Sequence, residues 1–139
     1  MIKDSVFKKL PHKHKSYKMI SNGGEIEVGY KPDYVLKNKK NDFVILECEY
    51  CSNRKTFIGG LLKAAHFLQN EKTGILVFVI KKMENTKCES IAAQLKTYFK
   101  WIKSITNLRK VYVIDADKYY KEEPMEICGY EFNKSALSV

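Results

Sequence analysis

The sequence predicts an α/β fold, a central mixed β-sheet flanked by helices, on three observations. Short continuous apolar runs at 43–46, 75–80 and 111–114 have the length and β-branched character of strands buried on both faces. Longer segments between them carry apolar residues at helical spacing. A Lys/Asn-rich stretch at 37–41 joins the first run to an extended segment before it, as in a hairpin. Strand, strand, helix, strand, helix, strand calls for antiparallel and parallel neighbours in one sheet. The strand at 43–50, the helix at 57–70 and the strand at 75–80 then form a right-handed crossover.

Each element has its own signal. Residues 1–20 are basic and weakly periodic, and Pro11 interrupts any helix begun near Asp4, which leaves a short helix or an arm. Ser21-Asn22-Gly23-Gly24 is a turn. Residues 25–36 are expected to be extended, with Pro32 confined to an edge or bend. Residues 42–50 follow as a strand and 51–55 as a loop. Thr56 is the expected cap of the helix at 57–70, whose apolar side holds Ile58, Leu61, Leu62, Ala65 and Leu68. Gly59-Gly60 weakens that helix by about 1 kcal/mol per residue relative to Ala, which points to close packing or close approach of a ligand. Asn85 or Thr86 starts the longest helix, to about 105, with Ile91, Leu95, Tyr98, Phe99, Ile102 and Ile105 as its stripe. The strand at 111–114 ends at Asp115-Ala116-Asp117, and 125–132 is expected to be a last edge strand. No repeat or linker divides the chain. Residues 1–139 are one domain, with 1–24 as the basic arm or helix, 25–115 as the core and 116–139 as the C-terminal edge.

Composition narrows the function classes. Lys and Arg number 25 against 16 acids, a formal charge of +9, and the surplus is concentrated near the N-terminus. A basic chain that gathers acids at one spot suits a polyanion held over a metal. No apolar stretch approaches the roughly 20 residues that span a bilayer, and residues 1–18 lack the apolar centre of a signal peptide, so a cytoplasmic location with no membrane partner is expected. Cys48 and Cys51 have no second pair to complete a zinc site, and Cys88 and Cys128 stand alone, so all four are expected as free, buried thiols.

The acids carry the chemistry. Along 43–50, side-chain alternation puts Phe43, Ile45, Glu47 and Glu49 on one face and Val44, Leu46, Cys48 and Tyr50 on the other. One face is therefore apolar at its start and acidic at its end, and the hairpin brings Asp33 toward the same place. Mg²⁺ takes hard oxygen ligands, keeps several waters and is commonly held by one or two carboxylates plus substrate phosphates, a number that Asp33 and Glu47 supply. A bound ion lowers the pKa of its water from about 15.7 toward neutrality and neutralises phosphoryl charge, the two needs of phosphodiester hydrolysis.

Pro32-Asp33 followed by Glu47-Cys48-Glu49 at the end of a hydrophobic strand resembles the PD-(D/E)xK nuclease superfamily. The succession of hairpin, helix, buried strand and helix over 25–115 is similar to that family's restriction-endonuclease-like core. The resemblance implies a metal-dependent endonuclease acting on DNA, with Mg²⁺ or Mn²⁺ bound by Asp33 and Glu47 and the backbone carbonyl of Cys48 as a further ligand. It also marks a departure, because Glu49 stands where the family usually has lysine. Glu49 can act as base or hold a second ion. Alternatively Lys63, or Lys55 before it, reaches the site from the adjacent helix.

Substrate phosphates are expected on Lys37, Lys39 and Lys40, in the hairpin turn next to the acids, and on the N-terminal Lys13, Lys15 and Lys18. Specific cleavage by so short a chain calls for a homodimer or a partner subunit. Two other readings compete: a nuclease fold that binds nucleic acid without cutting it, and a protein-interaction module using exposed aromatics such as Trp101, Tyr119 and Tyr120. For Trp101 a place covering the core is the simpler expectation.

Overall fold

The computed structural model describes residues 2–82 and 87–139. Six strands form one mixed sheet in the order β1(Lys18–Ser21), β2(Tyr34–Lys37), β3(Asp42–Tyr50), β4(Thr73–Lys81), β5(Leu108–Asp115) and β6(Leu137–Ser138). Pairing is antiparallel for β1·β2, β2·β3 and β5·β6 and parallel for β3·β4 and β4·β5. The two parallel joints require crossovers, supplied by α2(Arg54–Phe67) and α3(Cys88–Ile105). Both helices pack on one face of the sheet, as successive crossovers of one hand demand. The other face is covered by α1(Asp4–Phe7), α4(Ala116–Tyr119) and α5(Tyr130–Ser135).

The strand parity holds. Phe43 and Ile45 enter the core beneath α2 and α3, while Val44, Leu46 and Cys48 enter the core on the opposite face. Every residue of β4 after Thr73 is buried, as its continuous apolar run predicts for a central parallel strand.

Several expectations are corrected. The segment 25–33 is not a strand: the chain turns back at Glu27–Tyr30, with Gly29 at φ +79°, and pairing with β3 begins only at Tyr34, after Pro32. Helix α2 starts three residues early, with Asn53 at the N-cap and Thr56 inside its first turn. The expected starts of α3, Asn85 and Thr86, lie outside the described residues. The segment 125–132 is no edge strand, since Cys128 at φ +62° turns the chain, α5 follows, and the edge is formed by β6. Of the arm or short helix expected in 1–24, the short helix is present as α1, and the segment is docked: Phe7, His12 and His14 are buried and β1 closes the sheet edge. Tyr119 is buried, its hydroxyl 2.7 Å from His12 Nδ1, whereas Trp101 is 59% exposed and covers little core. Cys48 and Cys88 are buried free thiols, Cys51 is buried, and Cys128 is half-buried.

Candidate active site

The hairpin ends determine which acids meet. Asp33 directly precedes β2, and the first β2·β3 pair is Tyr34 with Leu46, so Asp33 falls level with Glu47 and Cys48. There the ladder continues through side chains. The Cys48 amide donates to Asp33 Oδ2 at 2.8 Å, and the Asp33 amide donates to Glu47 Oε1 at 3.0 Å. A strand residue presents its N–H and C=O on the same side, so the Cys48 carbonyl also leaves β3 toward Asp33, beyond the last β2 pair.

Helix α2 closes the site from above. A Cβ on Gly60 would stand 3.1 Å from the Phe78 ring and 3.7 Å from Glu47 Oε2, so the bare glycine lets the helix backbone come down onto the carboxylate. Gly59, by contrast, faces open space. Lys63 lies one turn beyond Gly60 on the same side of the helix, and its positive charge acts on Glu47. Lys55 is exposed in the first turn of α2.

Burial pushes the Glu47 carboxyl up to about 8, and the nearby charge of Asp33 adds to the rise. Burial likewise raises Asp33, against the opposing pull of the Cys48 amide and of Lys8. Glu49 is also raised by burial, although the Asn53 side chain donates to its carboxylate. Among the described residues, no group of three or more His, Cys, Asp and Glu side chains is gathered so that it could hold a metal ion. Glu49 therefore does not join Asp33 and Glu47 in a three-side-chain cage. The remaining donors, two carboxylates and a carbonyl, fit an ion that completes its shell with water and phosphate. A buried carboxylate beside a second one gains most from a cation.

Three residues at this end carry weak sequence signals. Lys8, just past α1, places its Nζ 3.8 Å from Asp33 Oδ1. Lys81, the last residue of β4, is only 2% exposed, with its Nζ 2.5 Å from Asp4 Oδ1 and 4.2 Å from the centre of the Tyr50 ring. Its signal was the one that singled out Glu47, a charge ending an apolar strand. Asp4 and Lys8 come from a basic N-terminal segment whose docking no local pattern announces.

The expected phosphate-binding lysines lie elsewhere. Lys37, Lys39 and Lys40 sit at the closed end of the β2·β3 hairpin and Glu47 at the open end, about 13 Å from the level of Lys37 and about 20 Å from the turn at about 3.3 Å per strand residue. Lys18 pairs with Lys37 at that same far end, Lys13 forms an ion pair with Glu123, and the Lys15 amide donates to Glu126. A two-stranded ribbon separates its turn from its strand ends, so neighbours in sequence are not neighbours at the site.

Set against protein-family models, curated proteins and solved structures, the chain matches none of them. Among the described residues no helix is long and apolar enough to cross a membrane.

Proposed function

We propose that the chain is a metal-dependent nuclease with a restriction-endonuclease-like core, hydrolysing phosphodiester bonds of DNA. The observation that carries this reading is the Asp33–Glu47 pair: two carboxylates bridged by backbone amides at a strand end, one raised to about 8 by burial and by its partner's charge. Asp33 has Lys8 at 3.8 Å, whereas among the described residues Glu47 forms no ion pair, although structural carboxylates are normally paired with a cation or left in water. Asp33 and Glu47 would hold Mg²⁺ or Mn²⁺, with the Cys48 carbonyl beside them. The ion supplies a water of lowered pKa and relieves charge on the phosphoryl oxygen.

The chain's own groups divide the remaining work. Glu49, on the same face and half-buried, accepts a proton from the attacking water. Lys63, exposed on α2 above Glu47, steadies the charge that develops on the phosphate. Binding of DNA draws on the net positive charge of the chain, and cutting both strands calls for a second copy or a partner subunit.

Plasmid cleavage with Mg²⁺ or Mn²⁺ tests the reading. Activity is expected in wild type and lost in Asp33→Asn and Glu47→Gln. Equal activity in wild type and both variants would overturn it, and so would salt-sensitive DNA binding with no metal-dependent product.

A further inference from the structure

A cavity of about 360 Å³ opens between the Glu27–Tyr30 turn and the outer side of α2. Its wall is mostly apolar, although it stands on a charged surface. Val28 is held at the tip of the turn and is 95% exposed, and Leu62 across from it is 49% exposed. The turn is fixed: the Tyr30 amide donates to the Glu27 carbonyl at 2.9 Å, the Ile26 amide to the Tyr30 carbonyl at 3.0 Å, and the Gly29 amide to Glu25 Oε2 at 3.2 Å. His66 also lines the cavity, and its Nδ1 contacts the Glu27 carboxylate, so the acid at this site is already engaged.

Two residues belong both to the cavity and to the surroundings of Glu47. Lys63 lines the cavity and acts on the Glu47 charge, and Tyr30 lines it while its phenolic oxygen feels Glu47, Glu27 and Asp33. The Tyr30 hydroxyl is buried with no hydrogen-bond partner among the described residues. That hydroxyl has almost no accessible surface although the cavity is open to solvent, so it lies behind the wall and is not offered to a ligand. The ligand that suits these features has a flat apolar body with polar edges, joined to an anion that lies toward Lys63 and the acid pair.

We propose that this cavity takes an unpaired nucleobase, so that the substrate is single-stranded or locally unpaired nucleic acid. The inference rests on the nuclease reading, which places a phosphate at Asp33 and Glu47. A base within a duplex has both faces covered by its neighbours and cannot lie against Val28, Leu62 and the His66 ring, whereas an unpaired base can.

The test is equilibrium binding at low salt, with Ca²⁺ in place of Mg²⁺, of short fluorescein-labelled DNA in three forms: a single strand, its duplex, and a strand of abasic sugars. The natural strand is expected to bind about tenfold more tightly than either of the others, the size of one stacked base. The double variant Val28→Ser, Leu62→Ser should bring the natural strand down to the abasic level and leave the abasic affinity unchanged. Both side chains are exposed, so the fold does not depend on them. Equal affinity of wild type for natural and abasic strands overturns the proposal, as does a loss in the double variant that is the same for all three probes. A base preference without metal-dependent cleavage supports the cavity and overturns the nuclease reading alone. No binding of any probe overturns both.

Discussion

Asp33 and Glu47 are joined through the backbone, the Asp33 amide donating to Glu47 Oε1 at 3.0 Å while Asp33 itself accepts from Cys48. Each acid is thus aimed by the strand pairing that positions the other. Sequence separation between them is bridged by one hairpin, and a register slip of one residue would turn Glu47 to the opposite face.

Stability without metal should fall as pH rises. The folded pKa of Glu47, about 8, lies above its ordinary value near 4.5, so the neutral acid is the form the fold prefers. That contribution is complete below about pH 4.5 and is lost as the pH passes through 8. Asp33 and Glu49 are shifted in the same direction. Melting temperature measured with chelator should drop between pH 5 and pH 8 in wild type and stay flatter in Glu47→Gln. Saturating Mn²⁺ should raise it at pH 8 far more than at pH 5, and not at all in Glu47→Gln.

Lys63 and Lys55 should separate kinetically. One helical turn carries Lys63 from Gly60 to the side of α2 above Glu47, and Lys55 has no such placement. Cleavage by Lys63→Gln should fall about 10²- to 10³-fold in kcat, the scale of losing one group that stabilises developing charge. Lys55→Gln should remain near wild type. Steady-state cleavage of a labelled substrate decides between them, and an unchanged Lys63→Gln would leave the transition-state charge to Lys8 or to the metal ion alone.

The elements buried on two faces were the legible ones. Strands β3 and β4 and the apolar stripe of α3 are dictated by local periodicity, and Asp33 and Glu47 follow from parity and the hairpin. What escaped depended on tertiary contact. Residues 125–132 hold alternating apolar positions that suit a strand, yet the edge of β5 is taken by Leu137–Ser138, and Ile127 and Phe132 are buried from a turn and a helix instead. Asp4 and Lys8 reach the site only because Phe7 is buried in the core on that face. The lysines of the hairpin turn are close to the acids in sequence, but the length of the β2·β3 ribbon separates them in space.

The two neighbouring glycines of α2 should respond oppositely to alanine. At Gly59 a methyl meets nothing within 4 Å, so Gly59→Ala should stabilise by about 0.5–1 kcal/mol through helix propensity. At Gly60 the methyl would press on Phe78, a fully buried ring held edge-on by Phe57 at 5.2 Å between centroids. Overpacking of about 1–3 kcal/mol exceeds the propensity gain, so Gly60→Ala should be net destabilising by about 1 kcal/mol. Urea denaturation of the two variants measures both signs.

The far end of β3 should govern acid unfolding. Asp42 accepts from Thr73 Oγ1 at 2.6 Å, from Arg109 through both guanidinium nitrogens, and from the Tyr17 hydroxyl, linking β3, β4 and β5 to the N-terminal segment. Burial alone would raise this carboxyl, but the hydrogen bonds from Arg109, Thr73 and Tyr17 together hold it below the ordinary range. The sign is opposite to that of Glu47: the contribution is present above about pH 4 and is lost as pH falls through the lowered folded value. Asp42→Asn removes the charge, keeps the shape and turns one acceptor into a donor facing Arg109. Partial exposure of Arg109 screens the pair, so a loss of about 1–2 kcal/mol at neutral pH is expected, with the difference from wild type closing in strong acid. Urea midpoints of wild type and Asp42→Asn from pH 7 down to pH 3 check this, and parallel curves at constant offset would show that the carboxylate charge contributes nothing to the network.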